Sequence, residues 1–409
     1  MQNPTLQSNL EKLSQNKRIL LLQSPIGPFF RNLAQWLENK EVEVYKFNFN
    51  YGDQVFYSAH IKNTYCYKDH YEHFESYLTT FLQDKKIEAV VCFGDTRPYH
   101  VAAKRICDRL HLSFWAFEEG YFRPHFITLE EHGVNAYSRL PRRGNFYLNA
   151  YACLKQQKYT APAAVPDGFW PRAKLAIRYY LSSSLKHSQY PNYQHHRINQ
   201  LSHYIQLWVL SGIKRANYIL NDHSFAKQIE SGKFGRFFVL PLQVFNDSQI
   251  HVHSDFASVR DFLLHVLDSF AHHAPHDTTL LIKHHPMDRG FIDYRKDIDA
   301  FLEKHPQFHR RIYYVHDVPL PVFLRHGIGM VTLNSTSGLS ALIHHMPVKV
   351  LGRAHYDIPG MTSQQPLAQF WQNPDQPDQA LFHAYRMYHL NITQINGSFY
   401  SRVNLPEIN

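Results

Sequence analysis

Short apolar segments alternate with amphipathic ones along the first third of this chain, and this alternation restricts the fold more than any other feature. The apolar segments have the length of strands that are buried on both faces. Predicted strands are Ile19–Gln23, Val42–Phe47, Ala89–Phe93 and Leu112–Phe117, and helical patterns cover Phe29–Leu37, Tyr71–Leu82 and Val101–Leu110. Alternating strands and helices predict a parallel sheet with right-handed crossover connections.

The same alternation returns late in the chain. Predicted strands there are Phe237–Leu242, Thr278–Lys283, Ile312–Val315, Met330–Leu333 and Val348–Leu351, and helical patterns cover Val259–Ala271 and Leu339–His345. Together the two regions predict an α/β protein with two Rossmann-like, doubly wound domains facing a cleft, which is the GT-B architecture. We expect an N-terminal domain over 1–160, a helical connector over 161–225, a C-terminal domain over 226–370 and a helical tail over 371–409.

The composition excludes several classes of protein. Hydrophobic residues make up 44% of the 409 positions and charged residues 19%, as in a globular chain with sizeable cores. The cysteines are scattered without a C-x-x-C pair, which argues against a zinc site or a disulfide framework. The polar start Met1–Arg18 lacks the apolar region of a signal peptide, and no segment approaches the roughly 20 apolar residues of a membrane span. We therefore expect a cytoplasmic protein that is soluble or peripherally bound to a membrane.

The chain is basic, with a formal net charge of +9, and a basic surface attracts anionic partners. No recognition helix, zinc finger or RNA-binding signature accompanies this charge, so nucleic acid is not the expected partner. An acidic substrate or an anionic phospholipid surface fits the composition better.

The predicted connector has an unusual charge distribution, because no acidic residue occurs from Gly168 to Asn221. Helical patterns cover Pro171–Leu181 and Ile198–Ile219, and the aromatic side chains are Trp170, Tyr179, Tyr180, Tyr190, Tyr193, Tyr204 and Trp208. One interpretation is a connector whose basic face is simply solvated. The other is a surface for anionic lipid head groups, with the aromatics at the level of the interface. Its lipid-binding residues would be Arg172, Lys174, Arg178, Lys186 and Arg197.

Ligands of doubly wound sheets bind beyond the carboxyl ends of the strands, so the residues after each predicted strand form the candidate site. Gly27 lies in the turn after Ile19–Gln23 and permits close approach of the backbone, although a plain tight turn would look the same. Asp95 and Arg97 follow Ala89–Phe93 and can face one site. The alternative there is a helix cap with a salt-bridged arginine.

Two adjacent carboxylates, Glu118 and Glu119, follow the predicted strand Leu112–Phe117, with Arg123 close behind. Their mutual repulsion raises the pKa of one of the two. Side chains alternate along an extended backbone, so we expect only one carboxylate to enter the site. The alternative is an ordinary acidic loop.

In the second predicted domain, Lys283, His284, His285 and Pro286 stand at the end of a strand. A lysine and histidines in this position suit a phosphate leaving group, and the alternative is a loop histidine with local partners. A metal site is conceivable, but no carboxylate stands at ligand spacing nearby, so we expect no bound metal.

Hydroxyl side chains follow the strand Met330–Leu333, where Ser335, Thr336 and Ser337 lead into a predicted helix. Hydroxyls and helix-start amides together make a cradle for an anion. Alone this is a common capping pattern. Because this hydroxyl segment occurs in the same predicted domain as the lysine and histidines, the prediction of a phosphate site becomes more specific.

Short motifs spread through both predicted domains combine into a pattern. They are Leu21–Phe30, Asn48–Asp53, Phe93–His100, Glu118–Pro124, Ile127–Glu130, Gly133–Asn135, Pro241–Gln243, Lys283–Pro286 and Asn334–Gly338. Together they resemble the KpsS/LipB family of capsule polysaccharide biosynthesis proteins, over roughly Arg18 to Thr362. A set of motifs in both halves of a chain is far more specific than any single motif.

The resemblance implies a retaining β-Kdo transferase. Such an enzyme would take Kdo from CMP-Kdo and add it to a lysophosphatidylglycerol acceptor at the inner face of the cytoplasmic membrane. That Kdo would begin the linker of a group 2-type capsular polysaccharide, and the implied partners include the membrane surface and other capsule biosynthesis or export proteins. His285-Pro286 and Ser335-Thr336-Ser337 are similar to the CMP-binding motifs of bacterial sialyltransferases and Kdo transferases.

The residues at the strand ends suit this chemistry, because CMP-Kdo carries a phosphate and a sugar carboxylate. The expected donor-binding residues are Lys283, His285, Pro286, Ser335, Thr336, Ser337, Gly27, Arg97 and Arg123. The CMP phosphate is a good leaving group, so we expect neither a metal nor another cofactor. By analogy with retaining glycosidases, retention suggests a carboxylate nucleophile, and the candidates are Glu119, Glu118 and Asp95.

Two other functions remain open at this point. The first is another CMP-sugar transferase, such as a sialyltransferase, which a panel of donors would distinguish. The second is a non-catalytic component of lipid-linked capsule assembly or export, which would bind lipid without releasing CMP.

Overall fold

The computed structural model describes residues 6–154, 162–166, 168–193, 201–245 and 248–406. The chain divides into two compact units. Unit 1 comprises Met1–Leu140, Asn149–Leu201 and Arg386–Asn409, and unit 2 comprises Pro141–Leu148 and Ser202–Tyr385. Each unit therefore gathers segments that are distant in sequence.

Both units are built around β-sheets. The strands are β1 (Arg18–Leu21), β2 (Glu43–Asn48), β3 (Thr64–Cys66), β4 (Ala89–Phe93), β5 (Ser113–Glu119), β6 (Phe126–Glu131), β7 (Arg236–Pro241), β8 (Thr278–Lys283), β9 (Ile312–Val315), β10 (Gly329–Thr332), β11 (Val348–Val350) and β12 (Gln394–Asn396). Every strand predicted from the sequence is present. β3, β6 and β12 were not predicted, because β3 and β12 are very short and β6 ends in two glutamates.

Helices cover the sheets. They are α1 (Asn9–Leu13), α2 (Phe29–Glu38), α3 (Tyr51–Phe56), α4 (Phe74–Asp84), α5 (Pro98–Leu110), α6 (Gly144–Leu154), α7 (Phe169–Leu185), α8 (Leu201–Glu230), α9 (Ser248–His253), α10 (Val259–His273), α11 (Arg295–Lys304), α12 (Leu320–His326), α13 (Ser337–Ile343), α14 (Leu367–Gln372) and α15 (Gln379–Ile392). Helices α7 and α8 contain the two helical patterns predicted in the connector, as far as those residues are described. Within the described part of the chain, no helix is long and apolar enough to cross a membrane.

The sheet of unit 1 has the order β12-β6-β5-β4-β1-β2-β3. The strands β5-β4-β1-β2-β3 pair in parallel, which is the doubly wound order 3-2-1-4-5 of a Rossmann fold. β6 returns antiparallel to β5, and β12 pairs antiparallel to β6.

Both faces of this sheet are buried, which explains the continuous apolar runs of its strands. Leu21 and Leu33 of α2 belong to the core on one face, whereas Leu20 and Leu78 of α4 belong to the core on the other. Successive residues of a strand point to opposite faces, so a single short strand supplies both cores.

Unit 2 repeats the topology with a sheet of order β11-β10-β7-β8-β9, in which every pair is parallel. Counted within the unit, this is again the order 5-4-1-2-3. Its core contains Phe238, Leu280 and Trp371 of α14, all with no exposed surface, and the indole N–H of Trp371 donates to Ser269 Oγ at 3.0 Å. The predicted α/β fold with two doubly wound units is thus confirmed.

The end of the chain differs from the helical tail expected over 371–409. Helix α15 is present, but β12 then pairs with β6 in the sheet of unit 1, with Gln394 opposite Thr128. Beyond it, Phe399 lies in the core of unit 1 and contacts the rings of Phe29 and Phe117. A three-residue strand carries too little pattern to be read from sequence.

Candidate functional site

The strand order of unit 1 reverses between β1 and β4, and ligands of doubly wound sheets bind at this switch point. The chain leaves β1 through the turn that holds Gly27 and leaves β4 through the turn that holds Asp95. Gly27 is buried with a φ of 129°, and a Cβ at this position would lie 3.3 Å from Leu175 and from the carbonyl oxygen of Phe399. The turn therefore favours glycine both by conformation and by space.

Asp95 is a buried carboxyl group, with 2% of its surface exposed. Its Oδ2 accepts the backbone N–H of Val134 at 2.8 Å. Burial raises its pKa from 3.8 to about 6, although the Val134 N–H and the charge of Lys104 favour the ionised form. A carboxyl group with a pKa near neutrality is typical of catalytic sites.

Glu118 and Glu119 diverge, as the alternation of an extended backbone predicts. Glu118 is half-buried and lies opposite Thr128, whereas Glu119 lies opposite Ile127 in the hairpin of β5 and β6. Glu118 Oε1 accepts the N–H of Glu119 at 2.9 Å. Burial, together with the charges of Glu119 and Asp95, raises the pKa of Glu118 to about 7, although the hydrogen bond from the Glu119 N–H favours the ionised form.

Glu130 on β6 joins Asp95 and Glu118 in this group and is absent from the sequence-based candidates. It lies opposite Ala116, so its side chain is on the same face of the hairpin as Glu118, at a diagonal position. It is buried and accepts a hydrogen bond from the hydroxyl of Ser138, and burial raises its pKa to about 7. The pairing of β6 with β5 would have identified it, but β6 was not predicted.

Glu119, one of the three candidate nucleophiles from sequence, has different surroundings. Its side chain is half-exposed and lies near the hydroxyl of Tyr400, whose pKa is raised chiefly by burial and further by the charge of Glu119. The guanidinium of Arg172 lies 4.2 Å from the ring of Tyr400. The C-terminal segment and α7 thus both reach the carboxyl end of β5 through Tyr400.

The two predicted arginines lie near these carboxyls but interact locally. Arg97 is half-buried at the start of α5, with its guanidinium 5.3 Å from the ring of Phe93. Arg123 is exposed, and its Nε donates to the carbonyl oxygen of Gly120 at 3.2 Å. The charge of Arg123 lowers the pKa of Glu118, against the larger effect of burial.

His100 fixes the turn that carries Asp95. It has no exposed surface, and burial lowers its pKa to about 3, so the ring is neutral. Its Nδ1 lies 2.5 Å from the carbonyl oxygen of Gly94, and a neutral ring can donate from this nitrogen. The histidine therefore holds the backbone immediately before Asp95.

The strand order of unit 2 reverses between β7 and β10, and two amide side chains meet at this second switch point. Gln243 Nε2 donates to Asn334 Oδ1 at 2.9 Å, and the backbone N–H of Asn334 donates to Gln243 Oε1 at 3.3 Å. Asn334 Nδ2 also donates to the carbonyl oxygen of His253 at 3.2 Å. These bonds hold the turn that begins the serine-rich segment.

The predicted hydroxyl residues Ser335, Thr336 and Ser337 are half-buried at the start of α13. Ser335 Oγ accepts the N–H of Ser337 at 3.1 Å and donates to its hydroxyl at 3.0 Å. The hydroxyl of Tyr356 donates to the carbonyl oxygen of Ser335. The segment is therefore a tightly held turn that groups three hydroxyls.

Lys283 is the last residue of β8, and His285 and Pro286 follow that strand. Lys283 is buried with Nζ 3.4 Å from the carbonyl oxygen of His284, and burial lowers its pKa to about 8. His285 is half-buried, and its Nδ1 accepts the N–H of Met287 at 3.2 Å. Pro286 is exposed in the short turn that follows.

Beside this turn His284 forms a buried pair with His316, which was not among the predicted site residues. His284 and His316 have rings 4.8 Å apart, and the hydroxyl of Tyr314 lies 2.7 Å from His284 Nδ1. The ring of His316 is stacked on that of Tyr218 at 3.9 Å. Burial lowers the two pKa values to about 4 and about 3, so both rings are neutral at pH 7. Alternation along the chain directs His284 inward and His285 outward.

An ion pair and a carboxylate complete the carboxyl end of this sheet. Arg289 and Asp317 form a salt bridge with 12% and 10% of the side chains exposed. Asp222 of α8 accepts the backbone N–H groups of His316 at 3.0 Å and Asp317 at 2.6 Å. Unit 2 thus combines cationic groups, hydroxyls and neutral histidines at the ends of its strands.

The basic residues predicted to bind lipid do not share one face of α7. Lys174, Arg178 and Lys186 are exposed, with Arg178 5.2 Å from the ring of Phe56 and Lys186 4.7 Å from that of Tyr51. Arg172 is half-buried against Tyr400, as described above. Arg197 lies outside the described residues.

One of the two interpretations of the connector placed its aromatics at a membrane interface, and this is wrong for Tyr179 and Tyr190. Both are buried. The hydroxyl of Tyr179 accepts from Asn50 Nδ2 at 2.7 Å and donates to Asp53 Oδ1 at 3.2 Å, and Tyr190 donates to Gln54 Oε1 at 2.9 Å. These residues instead attach α7 to unit 1.

The fold and the residues at its strand ends define an α/β protein with two Rossmann-like units, each with polar groups at its own switch point. The chain belongs to the family of capsule polysaccharide biosynthesis proteins, whose family model matches residues 88–400. The resemblance seen in the sequence motifs is thereby confirmed.

Relatives match the chain along its whole length. It is 58% identical over 100% of its length to the capsule polysaccharide modification protein LipB of Neisseria meningitidis serogroup A, of which 98% is covered. It is also 40% identical over 96% of its length to the capsule polysaccharide export protein KpsS of Escherichia coli, of which 99% is covered.

Among solved structures, the chain is similar to the β-Kdo 2,7 transferase KpsC of Thermosulfurimonas dismutans, with a TM-score of 0.42, 14% identity, and 89% and 88% of the two chains covered. It is also similar to the UDP-GlcNAc 2-epimerase of Methanocaldococcus jannaschii, with a TM-score of 0.28, 13% identity, and 94% and 97% covered.

Proposed function

We propose that this protein is a glycosyltransferase of capsule biosynthesis that transfers Kdo from CMP-Kdo to a lysophosphatidylglycerol acceptor with retention of configuration. The observation that carries the proposal is the pair of interacting carboxyls Asp95, which follows β4 at the switch point of unit 1, and Glu118 on the neighbouring strand β5. Burial raises their pKa values to about 6 and about 7. Carboxyl groups whose pKa values are raised toward neutrality by burial are typical of groups that act in catalysis.

Retention is proposed to proceed by two displacements. A carboxylate attacks the anomeric carbon of Kdo as the bond to the CMP phosphate breaks, and the acceptor hydroxyl then displaces that carboxylate. Asp95, whose ionised form is favoured by the N–H of Val134 and the charge of Lys104, fits the nucleophile. Glu118, whose pKa is raised by burial and by the charges of Glu119 and Asp95, fits the group that removes the proton from the acceptor hydroxyl.

Glu119 remains the alternative nucleophile predicted from sequence. Its half-exposed side chain beside Tyr400 supports a positioning role instead. The two assignments differ in a measurable way. Trapping the glycosyl-enzyme and locating the adduct by mass spectrometry would place it on Asp95 or on Glu119, and an adduct on neither would reject both.

The donor phosphate is proposed to bind in unit 2, through Lys283, His285 and the hydroxyls that follow β10. Lys283 carries its positive charge at pH 7, since its pKa is about 8. The sugar carboxylate of CMP-Kdo is assigned to Arg97 and Arg123. Because the CMP phosphate is a good leaving group, the proposal requires no metal.

His285→Ala tests the donor site. The loss of a hydrogen bond to a charged phosphate costs about 1.5–3 kcal/mol, which weakens CMP binding roughly tenfold to a hundredfold. His272→Ala is the matched control, because His272 is an exposed histidine on α10. Equal CMP affinity of His285→Ala and the control, measured by calorimetry, would remove His285 from the donor site.

The function as a whole is tested by incubating the purified protein with CMP-Kdo and lysophosphatidylglycerol and weighing the lipid product. The expected result is a mass increase of one Kdo and release of CMP, both abolished by Asp95→Asn. Transfer only from CMP-sialic acid would indicate a sialyltransferase. Lipid binding without any CMP release would indicate a non-catalytic assembly or export component.

The proposed acceptor is a membrane lipid, so the proposal places the protein at the inner face of the cytoplasmic membrane as a peripheral protein. The net charge of +9 supports contact with an anionic surface.

A further inference from the structure

Helix α7 exposes four large apolar side chains to solvent. They are Trp170, Ile177, Leu181 and Leu185, with exposed fractions of 70%, 44%, 43% and 82%. Relative to Trp170 they follow at 7, 11 and 15 residues, a spacing that aligns them on one face of an α-helix. We call these four residues the apolar stripe.

The opposite face of α7 is fixed to unit 1, so the helix cannot turn the apolar stripe inward. The ring of Tyr179 packs directly on Gly52 of α3, where a Cβ would approach the ring to 2.7 Å. Its buried hydroxyl is held between Asn50 and Asp53. Rotation of the helix would break these bonds and leave polar groups buried without partners, which is costly.

The charged residues of α7 itself are all positive. Lys174 lies on the same face as the apolar stripe, Arg178 flanks it, and both side chains are exposed. The sequence from Gly168 to Tyr193 contains no aspartate or glutamate. An exposed apolar face with cations and no anions complements an anionic lipid surface, where the cations meet head groups and the apolar side chains enter the acyl boundary.

We propose that α7 lies in the head-group layer of an anionic bilayer, with the apolar stripe inserted and the Tyr179 face bound to unit 1. The inserted segment, from Trp170 to Leu185, is about 22 Å long at 1.5 Å per residue. The inference rests on the proposed function in one respect, because a membrane lipid is the proposed acceptor. It adds the surface of the protein that meets the membrane.

The test is co-sedimentation of the full chain with phosphatidylglycerol-rich vesicles. We expect the double variant Leu181→Glu/Leu185→Glu to lose roughly tenfold or more in vesicle partitioning, because two inserted side chains become charged. The matched control is Val101→Glu on α5, another exposed apolar residue of unit 1. It should partition like the wild type.

Two further readouts separate the explanations. Vesicles of phosphatidylcholine alone should bind the wild type less, and binding to the anionic vesicles should fall with added salt. Equal partitioning of the double variant and the wild type would overturn the proposal. A wild-type dimer that the double variant dissociates, with vesicle binding unchanged, would assign the apolar stripe to a second copy of the chain and also overturn it.

The same variant distinguishes this inference from the proposed function. Transfer to a short-chain lysophosphatidylglycerol in free solution should be unchanged in Leu181→Glu/Leu185→Glu, whereas transfer to acceptor embedded in vesicles should fall with partitioning. Absence of transfer by the wild type in free solution would refute the proposed function and leave the vesicle-binding result intact.

Discussion

Asp95→Asn should stabilise unit 1 while it abolishes transfer. In the folded protein the pKa of Asp95 is raised from 3.8 to about 6, so above that pH the ionised side chain is less stable when buried than in the unfolded chain. At 1.36 kcal/mol per pKa unit, the penalty is about 3 kcal/mol when the group is fully ionised. Asparagine removes the charge and can still accept the N–H of Val134.

The expected gain is about 1–3 kcal/mol, because the new amide N–H groups need partners of their own in a buried place. The sign depends on pH in a specific way. A carboxyl group whose pKa is raised by folding stabilises the folded state fully at a pH below its pKa in the unfolded chain. This stabilisation is lost as the pH rises through its pKa in the folded protein. The difference between variant and wild type should therefore be small near pH 4 and reach its maximum at about pH 8.

Calorimetry at the two pH values measures the effect. A gain of about 2 kcal/mol raises the melting temperature by roughly 4–8 °C for a unit of this size. Asp84→Asn is the control, because Asp84 is exposed at the end of α4, and its effect should stay within about 0.5 kcal/mol. A destabilised Asp95→Asn, or a gain that does not grow between the two pH values, would refute the reasoning.

Three further predictions follow from buried groups. Asp317→Asn should destabilise unit 2 by about 3–5 kcal/mol in urea denaturation, because it leaves Arg289 buried without its ion pair; a loss below about 1 kcal/mol would contradict this. Tyr179→Phe should cost about 1–3 kcal/mol in the unfolding of unit 1, since Asn50 and Asp53 lose a partner, and an unchanged midpoint would argue against that bond. CMP affinity should fall as the pH rises through about 8, where Lys283 loses its charge, and Lys283→Arg should remove that fall in calorimetric titrations.

The sheets were predictable because each central strand is a continuous apolar run. Such runs are typical of strands in a parallel sheet whose two faces are both covered, and few other structures produce them. β6 was missed because it carries Glu130 and Glu131, which look like a solvated acidic stretch. Only the pairing with β5 shows that Glu130 is buried, and pairing is a long-range property.

The candidate site was predictable as a set of positions but not as a set of contacts. Topology places the ends of parallel strands at one edge. Asp95 lies just beyond β4, as predicted, whereas Glu118 and Lys283 are within the last two residues of β5 and β8. The sequence does not tell which of two neighbours faces inward. His284 and His285 illustrate this, since the inward histidine joins a buried cluster and the outward one caps a short turn.

The connector shows the same limit for aromatic residues. Tyrosines among basic residues are compatible with a membrane interface and with a packing surface. Which of the two applies depends on the residues that the tyrosines contact in the folded protein. Here Asn50 and Asp53 of unit 1 hydrogen-bond to Tyr179, and Gly52 leaves space for its ring. Those residues are more than a hundred positions away in the chain.

A ribosome releases β12 only after all of unit 2 has been synthesised, although β12 belongs to the sheet of unit 1. Until then the outer edge of β6 presents unpaired N–H and C=O groups, which invite pairing with other chains. Phe399 is also missing from the core around Phe29. The usual order, in which the N-terminal part folds first during synthesis, is therefore reversed for the last step. In a nascent chain interrupted before Gln394, the edge of β6 in unit 1 stays unpaired and is accessible to chaperones or proteases.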